Sequence, residues 1–165
     1  MTFSRKPDMN VPQLIDCALL DRVSAQALAS PRRRKNHNLH VAESDASHRL
    51  LNAVEPDSYI QPHCHADAVK DEAIVALRGR FGVVFFDAAG KVVKTAIIEP
   101  NGDTVAVNIP HGVFHGIVAL LPGSVFFEAK AGPYQPLKPE EKAAWAPAEG
   151  EPGAAAYLEF LRALF

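Results

Sequence analysis

The sequence predicts an all-β fold, a sandwich or barrel of short strands with a helical segment at each end. Three observations predict it. Apolar, β-branched and aromatic runs such as Phe81-Gly82-Val83-Val84-Phe85-Phe86 and Val125-Phe126-Phe127 read as strands. Most strand starts fall roughly 8–12 residues apart, and turn chemistry separates them: Arg78-Gly79-Arg80, Asp87-Ala88-Ala89-Gly90, Pro100-Asn101-Gly102-Asp103, Pro110-His111-Gly112 and Leu121-Pro122-Gly123. Before and after this zone the apolar spacing turns helical.

In chain order, residues 1–44 begin polar and then carry one apolar stripe, Leu14, Ile15, Ala18, Leu19, Leu20, Val23, Ala27 and Leu28. Ser30-Pro31 ends this helix, because the residue before proline disfavours the helical region. A basic run, Arg32-Arg33-Arg34-Lys35, leads into Asn36-His37-Asn38-Leu39-His40-Val41, which alternates at period two. Residues 45–132 hold the predicted strands 59–65, 72–78, 81–86, 91–98, 104–109, 115–120 and 124–130. Residues 133–165 are proline-rich at first. Pro139-Glu140-Glu141 then suits a helix start, and Tyr157, Leu158, Leu161, Leu164 and Phe165 form one broad apolar side. That side is expected to pack on the strands or on a second subunit. The three zones are expected to make one domain, since 165 residues lie within the usual range.

Composition excludes several classes. A net charge of -2 argues against a nucleic-acid binder. No apolar run is long enough to span a membrane. The opening Met1-Thr2-Phe3-Ser4-Arg5-Lys6-Pro7-Asp8 has no apolar run behind it, so a cytoplasmic location is the expectation. Two cysteines, Cys17 and Cys64, make neither a disulfide framework nor a CxxC site. Seven histidines are the count that needs an explanation.

His63-Cys64-His65 falls on a predicted strand, which would turn both imidazoles to one face and Cys64 to the other. Two imidazoles on one face can share a cation if each frees a nitrogen. Glu72 opens the next strand, and pairing of adjacent strands would bring its carboxylate beside them. Pro110-His111-Gly112-Val113-Phe114-His115 ends in a histidine that starts another strand.

With these residues the chain resembles the cupin family. The first cupin motif, HxH then a glutamate, six residues and a glycine, corresponds to His63, His65, Glu72 and Gly79. The second, PxGxxH, corresponds to Pro110, Gly112 and His115. The resemblance implies a cupin-type jelly-roll barrel with short helical extensions at the N- and C-termini. It also implies one divalent metal ion (Zn, Fe, Mn, Ni or Co) held by His63, His65, Glu72 and His115. The chain departs from the pattern in three places, the first being about Asp57, where a glycine usually opens the first motif. Six residues separate His65 from Glu72, where three or four are usual, so Asp67 and Asp71 stand as alternative carboxylates, and Ala119 takes the place of a usual asparagine. The stretches from Ser30 to His40, Arg49-Leu50-Leu51-Asn52, Lys70-Asp71-Glu72 and Phe127 to Tyr134 are similar to WbuC-type cupin metalloproteins, a group associated with bacterial surface-polysaccharide gene clusters. A homodimer is also implied by resemblance.

Further candidates surround this set. Arg34, Asn36, Asn38 and His40 share one strand face, which either lines the pocket or is a solvated edge, while Leu39 and Val41 face the core. Glu128 and Lys130 share a face, either pairing with each other or moving protons. Lys70 lies in the lengthened segment, Gln61 shares a face with His63, and Phe114 adjoins His115 as a cavity wall. His40, Glu128 and Lys70 are therefore the candidate catalytic residues. Arg34, Asn36, Asn38, Gln61, Lys130 and Phe114 are the candidate substrate contacts. The basic run either binds an anion or is a solvated or paired turn. Cys64 and Cys17 are expected to pack, His111 to lie at the surface, and His37 and His48 show no partner pattern. The function read from this set is a metal-dependent protein acting on a small oxygenated substrate such as a sugar or sugar nucleotide, by isomerisation or epimerisation. The alternatives are an Fe(II) dioxygenase and a non-catalytic binding or sensing protein for a carbohydrate or organic acid.

Overall fold

The computed structural model describes residues 11–165. The opening segment on which the expectation of a cytoplasmic location rests lies outside the described residues. Helix α1, Cys17–Ala29, begins after Asp16, whose carboxylate accepts the Leu19 amide at 2.8 Å, and ends at Ser30 ahead of the proline. Eight strands follow: β1 Arg34–Asn38, β2 Ser47–Val54, β3 Glu72–Arg78, β4 Phe81–Phe86, β5 Val92–Ile98, β6 Ala106–Ile109, β7 Phe114–Ala119 and β8 Ser124–Ala131. A 3-10 turn spans Pro139–Glu141, and α2 spans Ala154–Arg162.

The strands fall into two antiparallel sheets, ordered β1-β2-β8-β3-β6 and β5-β4-β7, so the architecture is a β-sandwich with two helices. Val54, Ile74 and Phe126 from the first sheet meet Phe81, Val83, Ile98 and Ile117 from the second. The Phe81 and Phe126 rings pack edge to face at 5.2 Å. α1 covers the outer face of the first sheet, setting Leu19, Leu20, Val23 and Ala27 against Leu51, Ala53 and Val125. α2 covers the second sheet, setting Leu158 and Leu161 against Val84, Phe86 and Val118.

Two predicted elements are corrected. β2 is absent from the predicted strands because apolar residues fall on both of its sides, Leu50 and Val54 among the polar His48 and Asn52 on one and Leu51 and Ala53 on the other. Leu51 and Ala53 face α1 while Val54 faces the sandwich interior, so no period-two contrast shows. Residues 59–65 do not form a strand; they run as an irregular segment tied to its neighbours by isolated bridges at His63 and a few further backbone hydrogen bonds. Cys17 is exposed rather than packed, whereas Cys64 is buried. Val41 is exposed and Leu39 only half-buried, because the chain leaves the sheet after Asn38.

Candidate metal centre

Strand pairing builds a polar patch on the inner face of the larger sheet. Glu72 on β3 stands opposite Lys130 on β8, which stands opposite His48 on β2. One step further along, Glu128 pairs with Leu50, and Leu50 with Asn38. Alternation puts these side chains on the same face as Phe126 and Val54, so the polar rows continue the core face toward one end of the sandwich.

The histidines arrive from across the sandwich. His63 exchanges backbone hydrogen bonds with His115 on β7, at 3.0 and 2.9 Å. On its other side the segment is held by residues 141–143: the Cys64 amide donates to the Glu141 carbonyl at 2.8 Å, and the Ala143 amide to the Pro62 carbonyl at 3.0 Å. The Glu141 carboxylate adds bonds from the amides of Ala66 and Lys138, both at 2.8 Å. Gly112 donates to the His65 carbonyl at 2.7 Å from a turn with φ +75°. Space around Gly112 is open, so its left-handed backbone, not crowding, calls for glycine. Gly79 has both reasons, with φ +74° and Ser124 where a Cβ would stand.

His63, His65 and His115 each offer a ring nitrogen, and these atoms lie within 4.8 Å of one another. Carbonyl oxygens only accept, so the Nδ1 atoms of His63 and His115 must donate to Gln61 O at 3.1 Å and Val113 O at 2.9 Å. That leaves an Nε2 lone pair on each. Burial, with the His115 ring beside it, pushes the His63 imidazole down to about 3, so it is neutral at physiological pH. Glu72 Oε2 lies 3.1 Å from His115 Nε2 and 3.6 Å from His65 Nε2. Yet Glu72 Oε2 and His65 Nε2 are buried without a hydrogen-bond partner among the described residues. These atoms face a common point rather than bond each other. A tetrahedral ion with bonds of about 2.0–2.1 Å has ligand edges of about 3.3–3.4 Å, so the set fits a divalent ion. The other oxygen, Glu72 Oε1, accepts from Lys130 at 3.3 Å, which leaves one carboxylate oxygen for the shared point. Burial would raise the Glu72 pKa, but the His115 and His65 rings and the Lys130 charge outweigh it and hold the carboxyl well below the usual range.

Lys130 Nζ also lies 2.6 Å from Glu128 Oε1, and Asn52 donates to Glu128 Oε2 at 2.8 Å. Burial, with the Glu72 charge beside it, pushes Glu128 up to about 7. Burial works against the Lys130 ammonium, but Glu128 and Glu72 raise its pKa regardless. His63, His65, Lys70 and Lys130 line a cavity of about 210 Å³ with Tyr134 and Gln135. A cleft of about 400 Å³ adjoins it through His48, Lys130 and Tyr134, and Asn36, Asn38, His40, Asn52 and Glu128 line that cleft.

Three expected contacts point elsewhere. Arg34 forms a bidentate pair with Glu149 at 3.0 and 2.7 Å and also bonds Tyr59 O, so its guanidinium is used outside the cavity. Gln61 donates its amide to Ala143 O and Ala146 O and serves as a brace for the histidine segment. Phe114 faces opposite His115 on β7 and packs against Trp145, 6.1 Å away. Asp71 bonds the amide and ring of His111, and Asp67 caps Val69 N, so neither alternative carboxylate joins the imidazoles. The basic run is paired, Arg32 and Arg34 with Glu149 and Arg33 with Asp57. His48 is an addition. It stacks on His40 at 4.0 Å, and its place at the same strand parity as Asn52 becomes a signal once β2 is recognised.

Residues 15–98 match the family described as Domain of unknown function (DUF6016), which covers half of the chain. The chain belongs to the DUF6016 family. No curated protein matches it. Among solved structures, TT1209 from Thermus thermophilus is similar at 21% identity and TM-score 0.50, covering 73% of this DUF6016 chain and 97% of its own. That likeness supports the two-sheet β architecture. KdgF from Halomonas sp. matches at 23% identity and TM-score 0.49, over 64% of this chain and 84% of its own. Oxalate decarboxylase from Lactobacillus farciminis, in a formate complex, matches at 20% identity and TM-score 0.46 over 59% of this chain. The DUF6016 chain spans only 28% of the length of that decarboxylase.

Proposed function

We propose that this chain is a metal-binding cupin that holds a small oxygenated ligand at one divalent ion. The observation that carries the reading is the pair of buried, unpartnered atoms, His65 Nε2 and Glu72 Oε2, facing the same point as the free nitrogens of His63 and His115. A nitrogen-rich set with one carboxylate suits Zn, Fe, Mn, Ni or Co. When bound, such an ion polarises a carbonyl or hydroxyl oxygen or acidifies a bound water.

The chain's own groups complete the site. Lys130 keeps Glu72 oriented through Oε1. Glu128, buried on the cavity wall beside Lys130, is placed to hold or accept a proton, and His40 lines the adjoining cleft. Proton transfer beside a Lewis-acid centre suits isomerisation or epimerisation of a sugar-like substrate. The similarity to WbuC-type proteins orients the substrate class toward surface-polysaccharide chemistry. A binding protein without turnover is the second reading. It is favoured by the ties of Glu128 to both Asn52 and Lys130, which hold that carboxyl in place.

Elemental analysis of protein purified without chelator tests the metal. We expect about one divalent ion per chain, and a fall of tenfold or more in the His63→Ala and His115→Ala variants. Variants that keep a full metal complement would sink the assignment.

A further inference from the structure

The geometry points to a ligand that is a polyhydroxylated monocarboxylic acid, an aldonic or uronic acid, with its carboxylate at Lys70 and its hydroxyls along the β1–β2 cleft. The inference rests on the proposed metal reading only in placing a ligand oxygen at the histidines.

Lys70 is the first reason. It is 8% exposed, and the contact of its ammonium is the Pro133 carbonyl at 3.1 Å. Among the described residues no carboxylate lies within 4.0 Å of it, whereas Lys130 has two. A buried cation without an anion is costly unless something charged completes it. Lys70 also lines both cavities that meet at His65, one of them shared with Lys138 and with Asp67 and Glu141, whose carboxylates accept backbone amides, so an anion bound at Lys70 would sit next to the imidazoles.

The cleft is the second reason. Asn36 and Asn38 are exposed, with side chains that make no hydrogen bond among the described residues, and both line the cleft with His40, His48 and Asn52. Paired amide donors and acceptors match hydroxyl groups, which also donate and accept. The cleft and the histidine cavity share His48, Lys130 and Tyr134, so one ligand can span them.

Arginine decides against phosphate. Phosphoryl groups are best met by guanidinium forks. Among the described residues no arginine lines these cavities, and Arg32 and Arg34 are committed to Glu149.

Isothermal titration calorimetry on the full chain tests this, with D-gluconate and D-glucuronate as probes. D-sorbitol and D-glucose supply hydroxyls without charge, acetate supplies charge without hydroxyls, and D-glucose 6-phosphate supplies the phosphate arm. We expect at least one of the two acids to bind tenfold or more tighter than every control. Lys70→Met should erase that preference while leaving metal content, measured on the same samples, unchanged. Lys70→Gln keeps a donor for Pro133 and should give the same loss if Lys70→Met does not fold. Asn36→Ala combined with Asn38→Ala should weaken the acid severalfold and leave acetate unaffected. Equal binding of acid and neutral probes, tighter binding of the phosphate, or an acid preference that survives both Lys70 variants would overturn the proposal. Acid binding through Lys70 in protein that holds no metal would sink the metal reading alone. One metal per chain without acid preference would sink this inference alone.

Discussion

A histidine can offer a metal one nitrogen when something else occupies the other. Gln61 O and Val113 O do this for His63 and His115, and both carbonyls belong to residues two places earlier in the chain. The orientation is therefore a local device, carried by the motif's own backbone. Glu72 was legible through its six-residue distance to Gly79. Asp67 and Asp71 were separable from it only once their side chains were seen capping Val69 and bonding His111. Arg34 shows the opposite outcome. Strand parity placed it with Asn36 and Asn38, but Glu149, 115 positions away, captures it. Hydrogen bonding by Arg32, opposed by slight burial and helped by Arg34, holds the Glu149 carboxyl down at about 2. A depressed carboxyl contributes stability above its unfolded value of 4.5, and this is lost as pH falls through about 2. Glu149→Gln should therefore lower Tm at neutral pH, and the gap to the unmodified chain should close between pH 4.5 and about 2. A gap that stays constant to pH 2 in thermal melts would contradict the pairing.

The elements differ in how far their patterns speak. α1 was readable from its proline stop and from half of its stripe: Leu19, Leu20, Val23 and Ala27 are buried, whereas Leu14 and Ile15 precede the helix and, like Ala18 and Leu28, are exposed. β2 was not readable, because a strand covered by a helix on one side and by the opposite sheet on the other loses its alternation. The C-terminal element does more than cover a face. Residues 141–143 flank the histidine segment opposite β7, and α2 seals the sheet that carries His115. Leu161 is fully buried in that seal. Leu161→Ala should cost about 2–5 kcal/mol in denaturant-unfolding experiments. A loss below about 1 kcal/mol would mean that α2 is dispensable to the sandwich.

At the scale of the molecule, the site is a meeting of two sheets. The larger supplies Glu72, Lys130, Glu128 and His48; the smaller, with the segment bridged to it, supplies His115, His63 and His65. An ion held by both would stabilise the folded state, because the unfolded chain has no such cluster. Metal at about 100 times its Kd is worth about 2.7 kcal/mol, or roughly 5–10 °C in Tm for a domain of this size. Dialysis against a chelator should lower Tm by that amount and re-addition of the ion should restore it; identical melts with and without metal would count against a site spanning the sheets. By itself the sequence determined the β-rich class, the turns, the two helices and the three histidines with their glutamate. These depend on local backbone preference and on motif spacing along the chain. Only the tertiary structure decided that Glu149 takes Arg34, that Ala143 and Ala146 take Gln61, that Trp145 takes Phe114, and that Lys70 is left buried without an acid among the described residues. Each of these turns on a partner or an empty place brought by a distant segment, and no periodicity in the chain encodes what a distant segment will bring.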